Sequence, residues 1–235
     1  MIDVLAIGAH PDDVELWIGG TLAGLTRRGR RASILHLTRG EKATRGTVEG
    51  RADEAARAAE ILCAAPLGLL DLGDGQLMDS AGNREAVIQV IRRLKPSLLL
   101  VPDPEDEHPD HAAAGKICKA AWYLSGIRKV APADLAPHRP RAIWFYPGHE
   151  VSEPSLVVAV TKPDQECKRA AIRCYASQFH DPDSKEPATR ISEAAFLEAC
   201  EARSRFFGSL IGADFGEPYV THSPLAVRDP LGLFQ

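Results

Sequence analysis

Two short runs of histidine and aspartate carry the densest potential chemistry in this 235-residue chain. The first is His10-Pro11-Asp12-Asp13, near the amino end, and the second is His108-Pro109-Asp110-His111, near the middle. Together they offer two or three imidazoles and two or three carboxylates, which is the ligand set of a metal site that activates water. The pattern therefore predicts a hydrolytic metal centre, provided that the fold brings the two runs together.

Each run directly follows a short apolar segment that is typical of a buried parallel strand. Residues 2–7 (IDVLAI) precede the first run, and residues 97–101 (SLLLV) precede the second. In open α/β sheets, ligands bind beyond the carboxyl ends of the strands, at the point where the strand order reverses. Because the first and fourth strands are neighbours at that reversal in the commonest winding, we expect the two runs to meet in space.

Apolar strands alternate with amphipathic helices along the first hundred or so residues, as expected for βαβ units. This rhythm predicts an α/β fold, with a Rossmann-like, mostly parallel sheet that carries helices on both faces. The predicted elements of this part are strands at 2–7, 32–37, 67–71 and 97–101, and helices at 14–28, 48–63 and 84–94. The less regular carboxyl-terminal part predicts strands at 142–146 and 156–160, and helices at 163–177 and 191–207. No linker divides the chain, so we predict one domain over residues 1–235.

The bulk composition is typical of a cytoplasmic enzyme that acts on a small molecule. A net charge of -4 gives no electrostatic reason to bind nucleic acid or an anionic membrane. Five cysteines without a CxxC pair indicate reduced thiols rather than a disulfide framework. The amino end lacks the pattern of a signal peptide, and no run approaches the roughly 18 apolar residues of a membrane span. We therefore expect a soluble, cytoplasmic protein.

The first run suggests both metal ligands and a base. His10 and Asp13 are three residues apart on a strand-to-helix turn, so both side chains can reach one point. A second imidazole from the other run completes two histidines and one carboxylate, a set that suits zinc and also non-haem iron. Asp12 is the candidate general base. The alternative is that Asp12 or Asp13 only caps the following helix.

The second run suggests one further ligand and one electrophilic group. His108 and His111 are three residues apart, so one can bind the metal while the other hydrogen-bonds the oxyanion that forms on a substrate carbonyl. Asp110 could orient that second imidazole. The alternative is a surface turn without a role, since proline and aspartate commonly form turns.

These motifs, and much of the chain around them, resemble a known family. The stretches GAHPDDVELWIGGT, TRGEKATRGTVEGRADEAARAAEIL and HPDHAAAG are similar to those of the PIG-L or LmbE-like deacetylases, zinc enzymes that remove acetyl from N-acetylglucosamine conjugates. Val14 between Asp13 and Glu15, SGIRKV, HRP, SQF and the later run EARSRFFGSLIGADFGEPYV most resemble one branch. That branch deacetylates N-acetylglucosaminyl malate in bacillithiol synthesis.

The resemblance implies a role for each residue of the two runs. The metal, Zn²⁺ or another divalent ion such as Fe²⁺, would be held by three side chains: His10, Asp13 and His111. Asp12 would be the general base towards metal-bound water, and His108 would stabilise the tetrahedral intermediate or act as an acid. Asp110 would support His108.

The resemblance also implies a substrate-binding arginine. Arg51 matches the family's arginine after the GT-containing loop, where a fixed guanidinium suits a bidentate hold on the substrate's hydroxyls or on a malate carboxylate. The alternative for Arg51 is a solvated residue in the first turn of a helix.

One position departs from the bacillithiol branch. Members of that branch tend to have arginine immediately before HPDH, whereas this chain has Glu107 there, at the end of an acidic run. A carboxylate where a guanidinium would meet malate reverses the local field. Either Lys42, Arg45 or another cation compensates, or the aglycone differs.

The working hypothesis is a metal-dependent N-deacetylase of an N-acetylglucosamine conjugate, and N-acetylglucosaminyl malate is the expected substrate. A deacetylase or amidase of the same family that acts on a different glycoconjugate or thiol conjugate is the alternative. A dinucleotide-binding oxidoreductase would need a GxGxxG turn after the first strand, where this chain has GAHPDD. A non-catalytic binding module is disfavoured because ligand, base and oxyanion candidates are all present. We also expect a homo-oligomer, and the apolar tail at 223–234 is a candidate contact with a partner subunit.

Overall fold

Five short apolar strands form one parallel sheet in the computed structural model, which describes residues 2–130, 132, 134–149 and 153–225. The strands are β1 (Val4–Gly8), β2 (Ala32–His36), β3 (Ala65–Leu69), β4 (Leu98–Pro102) and β5 (Ala142–Tyr146). Their order across the sheet is β3-β2-β1-β4-β5, and Val4 to Ala6 pair with Leu98 to Leu100. The predicted α/β fold, with the first strand beside the fourth, is confirmed.

Helices cover both faces of this sheet because its strands are apolar on both sides. The helices are α1 (Asp13–Arg27), α2 (Val48–Ile61), α3 (Ala81–Leu94), α4 (Pro109–Leu124), α5 (Lys162–Ile172) and α6 (Ala194–Leu210). Val4 and Ala6 pack into one core with α1, α2 and α5, whereas Leu5 and Ile7 pack into the other with α3 and α4. Full burial of each such leucine or isoleucine stabilises the fold by about 1.5–3 kcal/mol. This two-sided burial holds the carboxyl ends of β1 and β4 in a fixed relation.

The ends of the first four predicted strands agree with the structure to within two residues, but helix α4 was not predicted. The second histidine run is the start of this helix, with His108 as its N-cap and Pro109 in its first turn. Proline and aspartate are frequent both in turns and at helix starts, so these residue types alone do not distinguish a loop after the fourth strand from the start of a helix. The helix also buries small residues such as Ala114 and Ala121, which weaken its amphipathic pattern.

The carboxyl-terminal part differs more from the prediction. Strand β6 (Leu156–Val160) has the predicted bounds but pairs antiparallel with β7 (Phe215–Tyr219) in a separate two-stranded sheet. Strand β7 was missed because it contains Gly216 and Pro218, which are uncommon inside strands. Helix α5 ends at Ile172 rather than at 177, where tighter turns replace the helical hydrogen bonds. Of the predicted tail at 223–234, residues 226–234 lie outside the described residues.

Helix α1 is broken at Ile18, which has φ −133° and ψ 15°. The new helix start is capped from β7, because the buried Glu217 carboxylate accepts hydrogen bonds from Gly20 N at 3.0 Å and Thr21 N at 2.6 Å. Lys168 of α5 donates to the same carboxylate at 2.6 Å. These contacts thus tie the part of α1 after the break to the small sheet.

Candidate active site

The loops after β1 and β4 converge at the carboxyl edge of the sheet. The ring centroid of His10 lies 5.0 Å from that of His108 and 5.4 Å from that of His111, and the two rings of α4 are 4.5 Å apart. One nitrogen from each of these three rings lies within 4.8 Å of the others. The structure therefore brings the two distant runs together, although 98 positions separate His10 from His108 (108 − 10).

The Asp13 carboxylate lies against two of these rings. Its Oδ1 is 3.1 Å from His111 Nε2, and its Oδ2 is 3.6 Å from His10 Nδ1. Burial acts to raise the pKa of Asp13, but the His111 and His10 imidazoles outweigh it and hold this pKa well below its usual range. An ionised carboxylate between two imidazoles is a set of oxygen and nitrogen donors that suits a divalent cation.

The far nitrogens of the same two rings also face carboxylates. His10 Nε2 lies 3.1 Å from Asp110 Oδ2 and 3.3 Å from Asp74 Oδ1, while His111 Nδ1 lies 3.3 Å from Asp106 Oδ1. Histidines that bind metals usually present the second nitrogen to such a carboxylate, which fixes the tautomer and the ring orientation. Both His10 and His111 therefore have the surroundings of metal ligands.

Asp12 has an unusual backbone conformation, and its side chain does not cap the helix that follows. It precedes α1 with φ 110° and ψ −25°, and its side chain makes no hydrogen bond to the helix start. A non-glycine residue with positive φ costs of order 1–3 kcal/mol. Burial raises the pKa of Asp12 to about 6, although Arg51 acts in the opposite direction. The structure thus does not support capping as the function of this side chain.

Arg51 holds the Asp12 turn from behind. Its Nη2 donates to Pro11 O at 2.5 Å and to Asp12 Oδ2 at 3.1 Å, and its Nη1 donates to Gly40 O at 3.1 Å. Gly40 has φ +65°, and a Cβ there would lie 2.0 Å from Arg51 Nη1, so this close approach requires glycine. Arg51 is only 4% exposed, which differs from the solvated alternative. Both Nη atoms donate to protein oxygens, while Arg51 also lines the cavity, so the predicted hold on substrate stays a prediction.

Asp110 supports a different histidine from the one predicted. Its carboxylate accepts hydrogen bonds from Gly75 N at 2.6 Å and Leu77 N at 3.2 Å, and faces His10 rather than His108. The contact with His108 comes from the backbone, because Asp110 N donates to His108 Nδ1 at 3.2 Å. Burial lowers the pKa of His108, as do the nearby imidazoles. Asp110 faces His10 rather than His108 because it lies in the first turn of α4, which directs its carboxylate to the loop after β3.

A cavity of about 570 Å³ opens above these groups, and the sequence reasoning missed several residues around it. Asp74 after β3, His149 after β5 and Trp17 of α1 line its wall, while Asp106 after β4 lies behind them against His111. Polar residues beyond strand ends were the signal used for the two histidine runs. Applied to every strand, the same rule would have found Asp74 and His149.

Comparisons with known proteins agree with this geometry. Residues 5–122 match the PIG-L family model, described as GlcNAc-PI de-N-acetylase. A diacetylchitobiose deacetylase of Thermococcus kodakarensis is 35% identical over 190 residues, which cover 75% of this chain and 70% of that protein. A 1D-myo-inositol 2-acetamido-2-deoxy-alpha-D-glucopyranoside deacetylase of Nakamurella multipartita is 30% identical, and the match covers 60% of each protein.

A solved structure extends the likeness to the whole fold. The conserved protein TT1542 of Thermus thermophilus superimposes with a TM-score of 0.87 and 36% identity, covering 98% of both chains. Within the described part of the chain, no helix has the length and apolar character needed to cross a membrane. The family model and the relatives support hydrolytic deacetylation of an N-acetylglucosamine-type substrate. The chain belongs to the PIG-L family of de-N-acetylases.

Proposed function

We propose that this protein is a metal-dependent N-deacetylase that hydrolyses the acetamide of an N-acetylglucosamine conjugate. The observation that carries the proposal is the position of two aspartates at the base of one cavity. Asp13 lies between the rings of His10 and His111, and Asp12 is held beside it by Arg51. This arrangement separates the groups that would bind a metal from the group that would accept a proton.

The residues that would hold the metal are His10, Asp13 and His111. Two imidazoles and one carboxylate suit Zn²⁺, which we propose as the native ion, and they suit Fe²⁺ as the alternative. A divalent ion bound there would act as a Lewis acid and lower the pKa of water towards about 7, which makes hydroxide available near neutral pH. The outer carboxylates Asp110 and Asp106 support this set because each lies against a ligand ring on the side away from Asp13.

Asp12 and His108 would carry the proton transfers. Asp12 accepts the proton of the attacking water as the C–O bond forms, since its carboxylate is not used in capping α1. His108 lies on the cavity wall, and its Nδ1 is occupied by Asp110 N, which leaves Nε2 to hydrogen-bond the oxyanion. When the C–N bond breaks, the proton passes to the departing amine. The products are acetate and the free glucosamine conjugate.

We propose N-acetylglucosaminyl malate as the substrate. Lys42 and Arg190 line the cavity, and the described residues provide no ion pair for either cation, so both are available to an anionic aglycone. Glu107 lines the same cavity and opposes such a group, whereas the named relatives deacetylate diacetylchitobiose or an inositol conjugate. A different glycoconjugate, or an amidase reaction on a thiol conjugate, is the alternative.

The test is to measure amine release from three classes of substrate by the metal-loaded protein. N-acetylglucosaminyl malate, diacetylchitobiose and the acetylated inositol conjugate should be compared at equal concentration, with Asp12→Asn as the inactive control. We expect deacetylation by the parent protein, with the highest kcat/KM for the malate conjugate. A neutral substrate preferred over malate would contradict the anionic aglycone, and failure on all three would exclude these substrates and favour a different conjugate.

Other expectations from the sequence stay predictions. A single domain over residues 1–235 predicts that limited proteolysis leaves one core fragment. A homo-oligomer predicts a multiple of the 25.4 kDa chain mass in light scattering. A cytoplasmic location without a nucleic-acid partner can be checked by fractionation and by the absence of co-purifying nucleic acid.

A further inference from the structure

A fourth imidazole lines the cavity and belongs to no part of the mechanism described so far. His149 follows β5, the neighbour of β4 in the sheet, and lies beyond residues 5–122, where the family model matches. Its ring is nearly parallel to that of His111, at 5.4 Å and 6°, and lies 6.2 Å from that of His108. The described groups that cluster closely enough to share an ion include His10, His108 and His111, but not His149.

No described residue forms a hydrogen bond with either nitrogen of the His149 ring. The ring is half-buried and lines the cavity, so its polar atoms are available to a molecule bound there. Trp17 packs edge-on against it at 5.4 Å and lines the same wall. An imidazole beside an indole suits a pyranose, which presents hydroxyls for hydrogen bonds and C–H groups for apolar contact.

Two groups clamp the backbone that carries His149. Asp106 Oδ2 accepts a hydrogen bond from Gly148 N at 3.0 Å, and a Cβ at Gly148 would lie 2.6 Å from this oxygen. Arg203 of α6 donates to the carbonyls of Pro147, at 2.8 Å, and Gly148. Such fixed backbone contacts hold a side chain in one place before the substrate arrives.

Arg203 also contacts the indole ring of Trp17. Its guanidinium carbon is 5.0 Å from the centroid of the Trp17 ring, so one arginine contacts both the indole and the backbone that precedes His149. Neighbouring Arg205 on the same helix instead pairs with Glu201 and is 60% exposed. The two arginines thus provide a matched pair, one that reaches the cavity wall and one that does not.

We propose that His149 hydrogen-bonds a hydroxyl of the substrate's sugar ring and that Arg203 is the positioning residue for it, an inference that rests on the proposed deacetylation of an amino sugar. His149 would act in binding and not as a metal ligand. Its contact is made equally in the ground state and the transition state, so its loss should change KM and leave kcat nearly constant.

The test measures kcat, KM and metal content for His149→Ala, His149→Gln, Arg203→Ala, Arg203→Lys and the double alanine variant. We expect KM to rise about tenfold in His149→Ala, the size of one lost hydrogen bond with its ring contact, and metal content to stay unchanged. His149→Gln should recover part of the loss. Controls are His222→Ala, an exposed histidine outside the cavity, and Arg205→Ala.

The double variant distinguishes positioning from general destabilisation. If Arg203 acts through His149, Arg203→Ala should raise KM, Arg203→Lys should restore part of it, and the double variant should be little worse than His149→Ala alone. Additive effects would overturn the positioning role. An unchanged KM in His149→Ala, or a loss of bound metal, would overturn the assignment of His149.

Binding of N-acetylglucosamine, measured by calorimetry, separates this inference from the proposed function. A parent protein that binds this sugar but deacetylates nothing would contradict the proposed function, while weaker binding in His149→Ala would still support the role of His149. Deacetylation with an equal KM in the parent and in His149→Ala would support the proposed function and contradict the role of His149. No binding and no turnover by the parent would overturn both.

Discussion

The two His-Pro-Asp turns share three residue types and follow neighbouring strands, yet their backbones differ. In the first turn, Asp12 has φ 110° and its carboxylate does not cap the following helix. In the second turn, Asp110 is part of α4, and the side chain of His108 caps that helix. The first turn therefore presents two carboxylates and one imidazole to the cavity, and the second presents two imidazoles.

The two turns also differ in conformational strain, which lies in the first turn. Positive φ at a buried aspartate persists only when the surroundings hold it, and here Arg51 and Gly40 provide that support. The second turn uses ordinary helix capping, which costs nothing comparable. A change at Asp12 should thus mainly affect activity through the position of one carboxylate, whereas a change at Asp110 should affect metal affinity and stability.

The largest expected effect comes from the strained aspartate itself. Asp12→Ala should lower kcat by about 10²- to 10⁴-fold, the usual contribution of a general base, and should leave metal content unchanged. Steady-state deacetylation and metal analysis measure the two quantities, and Asp53→Ala, an exposed aspartate on α2, is the control. Undiminished turnover in Asp12→Ala would refute the assignment of the base.

Loss of the supporting arginine should weaken both activity and folding. Arg51→Ala leaves the Asp12 carboxylate buried without its cation, which should lower the free energy of unfolding by about 3 kcal/mol. Because the base is then misplaced, kcat should fall by about 10²-fold. Urea denaturation and kinetics measure these changes, and exposed Arg57→Ala on the same helix is the control. If Arg51→Ala raised only KM, the arginine would be a substrate-binding residue instead.

In the second turn, Asp110 should act through the metal site. Asp110→Ala removes the acceptor for Gly75 N and Leu77 N and the carboxylate beside His10, so metal affinity should fall about 10- to 100-fold. The free energy of unfolding should fall by about 2 kcal/mol. Competition with a chelator measures the affinity. An affinity equal to the parent's would show that Asp110 does not support His10.

The smallest expected effect concerns the cap of α4. His108→Ala should lower the free energy of unfolding by about 1 kcal/mol because Asp110 N loses its acceptor, whereas His108→Asn retains a capping oxygen. Both variants should lose activity, since neither has an imidazole at the cavity wall. Equal stability of the two variants would remove the contrast between the turns.

The features that depend on the order of strands in the sheet could be predicted from the sequence. The commonest winding of alternating strands and helices predicted β1 beside β4, and the structure has this order and brings His10 to His111. Directions of side chains were harder to predict, because they depend on local backbone. Asp110 faces His10 only because α4 begins at Pro109, and Arg51 is buried only because Gly40 admits its guanidinium.

Residues without a recurring motif were also missed. Asp74 and His149 lie outside the two histidine runs and Asp106 lies in the acidic run before the second, and their partners come from other elements or from the next helix once the strands are assembled. Strand β7 was hidden by Gly216 and Pro218, whose places are set by contacts with α6 and β6 and not by local propensity. These features arise from tertiary packing, which no local pattern contains.

Metal stoichiometry shows whether the two distant turns hold one divalent ion between them. Metal content and affinity should be measured for the parent, His10→Ala, His111→Ala and the control His222→Ala. We expect one zinc ion per chain in the parent and the control, and loss of this ion in both cavity variants. Tight, stoichiometric binding that survives either cavity substitution would contradict it.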